Sequence, residues 1–301
     1  AYFSASEAWQ QLKLAEKNVD SAYELAERVN ERFQAGLRTA LDVRLALADA
    51  AATKSRLETR KRLYKLSRRQ LEVLLGRYPA AMIETASVLP VRLPAAPGGL
   101  PAQLLLRRPD IVEAERKVAA ADSRVRSAYL DLLPRISLTS STGLASDQVG
   151  DILDGKFFVW NLLGNLLAPL FDGGRRWAEI DRTRALEEGA LAYYAVVALN
   201  AFAEVEGALS NEYHLRVELS ALQESATQSA AAVEISSERY YQGALDITQV
   251  IQARRQYYNS ESARLTAQLA LVNTRVDLFA ALGGGFDASS VLENGDHHEG
   301  S

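Results

Sequence analysis

The sequence contains no cysteine, and this absence excludes several kinds of site at once. Disulfide bonds, thiolate zinc sites, iron–sulfur clusters and cysteine nucleophiles all need thiol groups, which none of the 301 residues provides. Histidine is almost as scarce, because two of the three histidines, His297 and His298, lie among the last few residues. We therefore predict no metal site and no cofactor for this chain.

Long apolar runs and a charge surplus are missing as well. No stretch approaches the roughly 18 uncharged apolar residues that a membrane-spanning helix needs. The 34 Lys and Arg residues are matched by 38 Asp and Glu residues, so we expect no nucleic-acid partner. The segment 54–69 does hold eight basic residues and one acidic residue, but a solvated helix face or a subunit contact explains it better. No nucleotide-binding motif or catalytic triad occurs, and we predict that the protein is not an enzyme.

Proline is confined to the middle of the chain. All eight prolines lie between positions 79 and 169, so residues 1–78 and 170–301 contain none. Because a proline inside a helix costs about 3 kcal/mol, these two tracts can form long uninterrupted helices. A helix over residues 175–241 would be about 100 Å long at about 1.5 Å per residue. Apolar residues recur along both tracts at steps of three and four, as in coiled coils and helical barrels.

The two proline-free tracts contain copies of one repeat. Glu31–Gly76 aligns without a gap with Glu238–Gly283, an offset of 207 residues. The turn sequences ERFQAG and ERYYQG occupy equivalent positions in this alignment. A single glycine in each turn, Gly36 or Gly243, is the expected left-handed cap between two antiparallel helices. The sequence therefore predicts two related helical hairpins with these glycines at their tips.

Between the copies the sequence predicts strands. The apolar and small polar side chains of residues 136–146 alternate, and the apolar segment 157–171 begins with aromatic residues. We predict a β-hairpin over 136–171. Strands of about ten residues suit a transmembrane β-barrel, while a soluble hairpin packed on the helices is the alternative.

Several stretches make the chain similar to the TolC-type outer-membrane efflux proteins, in the lipoprotein branch that serves RND pumps. They are LLRRPDIVEAERKVAAADSRVRSAYLDLLPRISLTSSTG within 104–143, PLFDGGRRWAEI at 169–180, the two turn sequences, and LGGGF at 282–286. The resemblance implies a mainly helical fold with a β-hairpin. In that fold very long antiparallel helices form an α-barrel, and the strands belong to a transmembrane β-barrel.

The family pattern also implies a domain organisation. Residues 1–76 would form the helical hairpin of an incomplete first repeat, and residues 77–106, with five prolines, a non-helical connection. Residues 107–285 would form the second repeat, with its long helical hairpin over 174–283, and residues 286–301 a disordered tail. The first strand pair, a signal sequence and any lipidated cysteine would then lie upstream of the first residue.

The function that the resemblance implies is a passive export duct for drugs or other small solutes. Its partners would be two further copies in a homotrimer, a periplasmic adaptor protein, an inner-membrane RND pump and outer-membrane lipid. The protein would lie in the outer membrane of a Gram-negative cell, with most of the chain in the periplasm. A soluble periplasmic coiled-coil adaptor or scaffold is the alternative.

The resemblance further implies a constriction at the hairpin tips. Asp42 matches the selector aspartate of the family, Asp246 matches an acidic position near the second tip, and Gln252 replaces the usual aspartate there. Arg255 matches an arginine that ties neighbouring hairpins together in the closed channel. On a three-fold axis, three Asp42 carboxylates would form a ring that attracts cations and responds to pH. The alternative for Asp42 is a helix-starting residue, and for Arg255 a solvated flank.

Overall fold

A computed structural model describes residues 1–90, 108–144 and 158–284. These ranges contain five helices and two strands: α1 (Tyr2–Gln34), α2 (Ala40–Leu74), α3 (Pro109–Leu130), β1 (Arg135–Leu144), β2 (Phe158–Leu167), α4 (Arg175–Tyr241) and α5 (Ile247–Ala281). The mainly helical fold with a strand pair is therefore confirmed. The expected tail at 286–301, the loop between the strands and most of the expected connection at 77–106 lie outside the described residues.

The chain divides into two compact units. The first consists of residues 1–99 and 203–301, and the second of residues 100–202. The 67-residue helix α4 contributes to both, since its first part belongs to the second unit and its remainder to the first. No helix in the described ranges combines the length and the apolar character needed to cross a membrane.

Helix boundaries in the first unit follow the offset of the sequence repeat. Helices α2 and α5 are both 35 residues long and begin at Ala40 and Ile247, which are equivalent positions. Helices α1 and α4 likewise end at equivalent positions, Gln34 and Tyr241. The two copies therefore form the same local structure although few of their residues are identical.

Small apolar side chains make the interhelical seams of the first unit. The buried residues of α1 recur at helical spacing and are mostly alanine, valine and leucine: Ala5, Leu12, Ala15, Val19, Ala22, Leu25, Ala26 and Val29. Helix α5 is buried on several faces, because it contacts α1, α2 and α4. The alanine-rich seams let α1, α2 and α5 approach each other closely.

Polar side chains inside the seams connect the helices of the first unit to each other. Gln11 on α1 is 1% exposed; its Nε2 donates to the carbonyl oxygen of Ser262 on α5 at 2.9 Å. In return the Ser262 hydroxyl donates to Gln11 Oε1 at 2.8 Å, and Arg60 on α2 donates to the same hydroxyl. Farther along α5, Arg275 pairs with Glu212 of α4, and both side chains are buried. Because buried polar groups need their partners, these contacts define one register between the helices.

The second unit contains the strand pair. Strands β1 and β2 are antiparallel, with Ile136 opposite Leu166 and Ser137 opposite Asn165. Opposite residues share a face, so this register puts Ile136, Leu138, Phe158, Trp160, Leu162 and Leu166 on one side of the hairpin. The other side carries Ser137, Thr139, Ser141, Asn161 and Asn165. The first face is thus mostly apolar, although it also carries Ser140 and Thr142, and the second face mixes these polar residues with Val159, Leu163 and Leu167. The side chains described on both faces are exposed.

Candidate functional site

The two helical turns lie next to each other at one end of the first unit. Their flanking helices share an apolar cluster that includes Val29, Ala46, Tyr240, Ile247 and Val250. Tyr240, three residues before Gly243, is fully buried. Across the turns, the guanidinium of Arg38 lies 4.1 Å from the centre of the Tyr240 ring and donates to the Tyr240 carbonyl oxygen. The residues next to Gly36 and Gly243 therefore form one site.

Each turn has the hydrogen-bond pattern of a Schellman cap. In the first turn, Leu37 N–H donates to the Arg32 carbonyl at 2.9 Å, and in the second, Ala244 N–H donates to the Arg239 carbonyl at 2.9 Å. The φ angles of Gly36 and Gly243 are +74° and +85°. Since side chains other than glycine are strained at such angles, the backbone conformation alone explains why glycine occupies both turns.

Asp42 belongs to the start of α2 in this structure. The Thr39 hydroxyl accepts a hydrogen bond from Asp42 N–H at 3.3 Å, and the Asp42 carboxylate accepts one from Thr39 N–H at 3.5 Å. This reciprocal pair is a capping box, so the helix-starting role is present. The carboxylate is only half-buried and carries its charge at the tip. A capping role and a selector role are compatible, and the second stays a prediction.

The equivalent positions in the second turn are arranged differently. Asp246 is the N-cap residue of α5, it is exposed, and its side chain makes no capping hydrogen bond. Its counterpart in the first copy is Thr39, and the counterpart of Asp42 is Gln249. Gln252 is also exposed on the first turns of α5. The structure thus places Asp246 and Gln252 at the same end as Asp42, and their gate role stays a prediction.

Arg255 has a partner that the sequence did not identify. Its Nε and Nη2 lie 2.9 and 2.8 Å from Oδ1 of Asp49 on α2. The Asp49 side chain is 5% exposed and that of Arg255 49% exposed. Asp49 lies on the apolar stripe of α2, one residue before the buried Ala50. A charged residue on such a stripe is the signal from which this pair could have been predicted.

The neighbouring Arg254 makes a second link between the repeats. Its guanidinium donates to the Ser21 carbonyl of α1. Burial lowers the pKa of Arg254, and the nearby Tyr241 and Asp49 partly offset that shift. Arg32 of α1 donates to the Tyr241 carbonyl at 2.8 Å. Arginine side chains of both hairpins therefore connect the two tips to each other.

The described side chains at the tips make electrostatic and hydrogen-bonding contacts between the two hairpins. Across the described ranges, no three His, Asp or Glu side chains are grouped so that they could hold a metal ion. The polar groups at the tips instead form caps, ion pairs and contacts to backbone carbonyls. Such an arrangement can hold two hairpins together or release them.

Comparison with known proteins identifies the family. Residues 100–284, more than half of the chain, match the family described as "Outer membrane efflux protein". The chain belongs to the outer membrane efflux protein family. This membership confirms the family that the sequence motifs predicted and assigns the protein to the outer membrane of Gram-negative bacteria.

Curated members of the family match almost the whole chain. The pyoverdine export outer membrane protein OpmQ of Pseudomonas aeruginosa is 32% identical over 281 residues, which are 93% of this chain and 59% of OpmQ. The outer membrane protein OprJ of the same species is 32% identical, with 97% of this chain and 61% of OprJ covered. The chain therefore spans about three fifths of the length of these relatives.

Solved structures of the outer membrane efflux family agree with the fold. A membrane protein from Pseudomonas aeruginosa superposes with a TM-score of 0.86 at 32% identity, covering 95% of this chain and 64% of that one. A CusC structure gives a TM-score of 0.86 at 27% identity, covering 94% of this chain and 66% of that one. These matches confirm the predicted fold class, that of outer-membrane efflux channels.

Proposed function

We propose that the protein is the outer-membrane channel component of a tripartite efflux pump. It would serve as a passive duct for drugs or other small solutes across the periplasm and the outer membrane. The observation that carries this proposal is the pairing of two long helical hairpins, with their tips joined at one end by Arg38, Tyr240, Arg255 and Asp49. Family membership favours this function over that of a soluble adaptor or scaffold.

A homotrimer is part of the proposal. The sheet has only two strands in the described ranges, so each strand has one edge whose backbone N–H and C=O groups lack a strand partner. Such edges do not persist inside a bilayer, because every backbone polar group there needs a partner. Further strands from the whole protein and from two more copies would close the sheet into a barrel. Exposed apolar side chains along α4, such as Leu199 and Val217, support contacts between copies.

The duct would have no catalytic activity, and its energy would come from a partner. An inner-membrane RND pump would drive transport, and a periplasmic adaptor would connect that pump to the hairpin tips. The exported solute is left general, because relatives are named for different ones: OpmQ for pyoverdine, TtgI of Pseudomonas putida for toluene and CusC of Escherichia coli for cations. The division into an incomplete first repeat at 1–76 and a second repeat at 107–285 belongs to the same proposal.

The gate of the duct would lie at the hairpin tips. Asp42 and Asp246 would supply negative charge at the constriction, and Gln252 a neutral polar group. Arg255 would hold the closed state through its ion pair with Asp49, because that pair joins α5 of one hairpin to α2 of the other. Opening would separate the tips around the Schellman turns at Gly36 and Gly243, where the two hairpins change direction.

Electrical recording on the whole protein tests this function. Purified protein is reconstituted in planar lipid bilayers, and single-channel currents are recorded together with its mass in detergent. We expect trimers that give small, stepwise currents with a preference for cations. Folded protein that never conducts, or that is monomeric and soluble without detergent, would contradict the proposal and favour the adaptor alternative.

A further inference from the structure

The segment from Pro169 to Trp177, which leads from β2 into the first residues of α4, is part of the family resemblance but has no role in the gate. It reads PLFDGGRRW. Arg176 makes an ion pair within the segment, because its Nε lies 3.0 Å from Asp172 Oδ2. Arg176 also donates to the carbonyl oxygen of Asp131, the residue that follows α3. At the start of β1, Arg135 pairs with Asp131 at 2.6 Å. The base of the β-hairpin is therefore held by charged groups.

Other side chains of the same segment are largely exposed. Leu170 and Phe171 are 96% and 92% exposed, more than any other large apolar residue in the described ranges, and Trp177 is 61% exposed. Arg175 is exposed and, within the described ranges, makes no direct salt bridge such as that of its neighbour Arg176, although its charge acts on Glu179. Three apolar side chains and one exposed cation thus lie within eight residues. We call Leu170, Phe171, Arg175 and Trp177 the basal patch.

The basal patch follows the β-hairpin directly in sequence. Strand β2 has ten residues, so at about 3.3 Å per residue and a tilt of about 40° it covers about 25 Å, the height of the apolar band of an outer-membrane barrel. Trp160 and Phe158 lie at the end of β2 next to the loop. Phe171 and Trp177 follow its other end, where charged residues begin. Aromatic residues thus flank both ends of this band.

The side-chain chemistry of the patch matches the boundary of a bilayer. Tryptophan favours the region between acyl chains and water because its ring is apolar with one polar edge, and a phenylalanine ring beside it adds apolar contact with the acyl chains. A guanidinium binds phosphate oxygens with paired hydrogen bonds. Arg175 lies between these two aromatic residues in sequence, and its side chain is exposed, whereas the neighbouring Arg176 is paired with Asp172.

We propose that the basal patch binds phospholipid of the periplasmic leaflet of the outer membrane. Arg175 contacts the headgroup phosphate, Trp177 and Phe171 lie at the level of the acyl ester groups, and Leu170 reaches the hydrocarbon. The proposal rests on the proposed function in one respect, namely that β1 and β2 cross the membrane. The proposal assigns a lipid contact to four residues that have no part in the proposed gate at the hairpin tips.

Spin labelling tests where the patch lies. Nitroxide labels are attached in turn to the variants Trp177→Cys, Trp160→Cys and Ser220→Cys of the whole protein in lipid vesicles, after any free cysteine outside these 301 residues has been replaced by serine. Collisions with oxygen, which concentrates in lipid, are compared with collisions with a water-soluble nickel chelate. We expect label 177 at the depth of the headgroups, label 160 inside the membrane, and label 220 on exposed α4 outside it.

The three labels separate the possible failures. If label 160 is in lipid but label 177 is as accessible to nickel as label 220, the basal patch does not bind lipid. If label 177 is shielded from both reagents, a second copy of the chain covers the patch and the proposal is wrong. If label 160 is itself outside the membrane, the proposed channel function fails.

A second experiment tests the role of Arg175. Phospholipid retained by the detergent-extracted protein is counted by native mass spectrometry for Arg175→Gln, Arg175→Lys and the control Arg182→Gln. Arg182 is exposed and has the same charge as Arg175, but its guanidinium is already paired with Glu179 at 2.5 Å and is therefore less able to bind a phosphate. We expect a several-fold loss of bound phospholipid for Arg175→Gln alone. Equal retention by Arg175→Gln and Arg182→Gln would overturn the phosphate contact.

Discussion

Arg255 on α5 lies with two of its nitrogens, Nε and Nη2, within 3 Å of a single oxygen of the buried Asp49 on α2. The pair joins the second helical hairpin to the first, eight residues into α5 and close to the turns. Half of the Arg255 side chain stays exposed, whereas the aspartate is almost completely buried. The pair is therefore accessible from one side, as a contact that opens and closes needs to be.

Breaking this pair is expected to open the tips. Arg255→Gln and Asp49→Asn should each raise the single-channel conductance, because each removes the attraction between α5 and α2. The double variant should resemble the single ones, since the two residues act through one contact. Arg239→Gln is the matched control, because Arg239 is an exposed tip arginine outside this pair. Conductance increases that add in the double variant would show that the pair does not act as a unit.

Substitution by alanine should lower the stability of the protein at the two turn glycines and raise it at a glycine inside a helix. Gly36→Ala and Gly243→Ala force a side chain into positive φ, which costs about 1–2 kcal/mol. Within the described ranges, a methyl group added at either turn or at Gly207 inside α4 would meet no atom within 4 Å, so sterics do not differ. Gly207→Ala should therefore stabilise the protein by about 0.5–1 kcal/mol. Thermal unfolding measures both shifts, and a loss of stability at Gly207 would contradict this account.

Glu72 should hold the chain that follows α2 in a pH-dependent way. Its carboxylate accepts hydrogen bonds from the N–H groups of Ala81, Met82 and Ile83 at 2.6, 2.6 and 3.0 Å. Burial by itself raises the pKa of Glu72, but these three donors and Arg68 outweigh it, and the pKa is lowered from 4.5. Because the pKa is lower in the folded protein, the ionised carboxylate stabilises the fold at pH values above 4.5. This stabilisation is lost as the pH falls through the lowered pKa of the folded state.

Hydrogen exchange at those three amides tests the role of Glu72. We expect faster exchange in Glu72→Gln, since the amide side chain has one acceptor oxygen in place of two and brings N–H donors of its own. Glu58→Gln is the control, because Glu58 is exposed and its salt bridge is to Lys61, one turn away on the same helix. Unchanged exchange at Ala81 and Met82 in Glu72→Gln would exclude the carboxylate as the anchor of this segment.

Two variants separate the capping role of Asp42 from its charge. Asp42→Asn keeps an oxygen that can accept from Thr39 N–H but removes the charge, so it should reduce cation preference with little effect on stability. Thr39→Ala removes the capping hydroxyl and should cost about 1 kcal/mol while leaving the charge in place. Reversal potentials in a salt gradient measure the first effect, and thermal unfolding the second. If Asp42→Asn leaves the reversal potential unchanged, Asp42 is a helix-starting residue only.

Local patterns in the sequence were sufficient to predict the helices and turns. The proline-free tracts, the glycine at each turn and the 207-residue offset depend on backbone conformation, which nearby residues determine. The structure has helices that end at Gln34 and Tyr241, directly before the predicted turns. The family motifs supplied the rest of the fold class.

Contacts between distant residues were not predictable in the same way. Asp49 lies 206 positions from Arg255, and Arg38 lies 202 positions from the Tyr240 carbonyl that it contacts. Helical periodicity tells which face of a helix is buried but not which helix covers it. The hydrogen bonds of the Glu72 carboxylate to the following loop were not predicted for another reason. Their donors are backbone N–H groups, which leave no residue-specific signal in the sequence.

The two copies of the repeat have diverged at the first residues after their turns. The first copy carries threonine at the N-cap and aspartate three residues later, whereas the second carries Asp246 at the N-cap and Gln249 three residues later. Three residues of helix correspond to about 4.5 Å along its axis. In the proposed trimer, the six acidic groups would consequently form two separate tiers of negative potential. An ion entering the tunnel from the pump would pass these tiers in succession, at two depths instead of one.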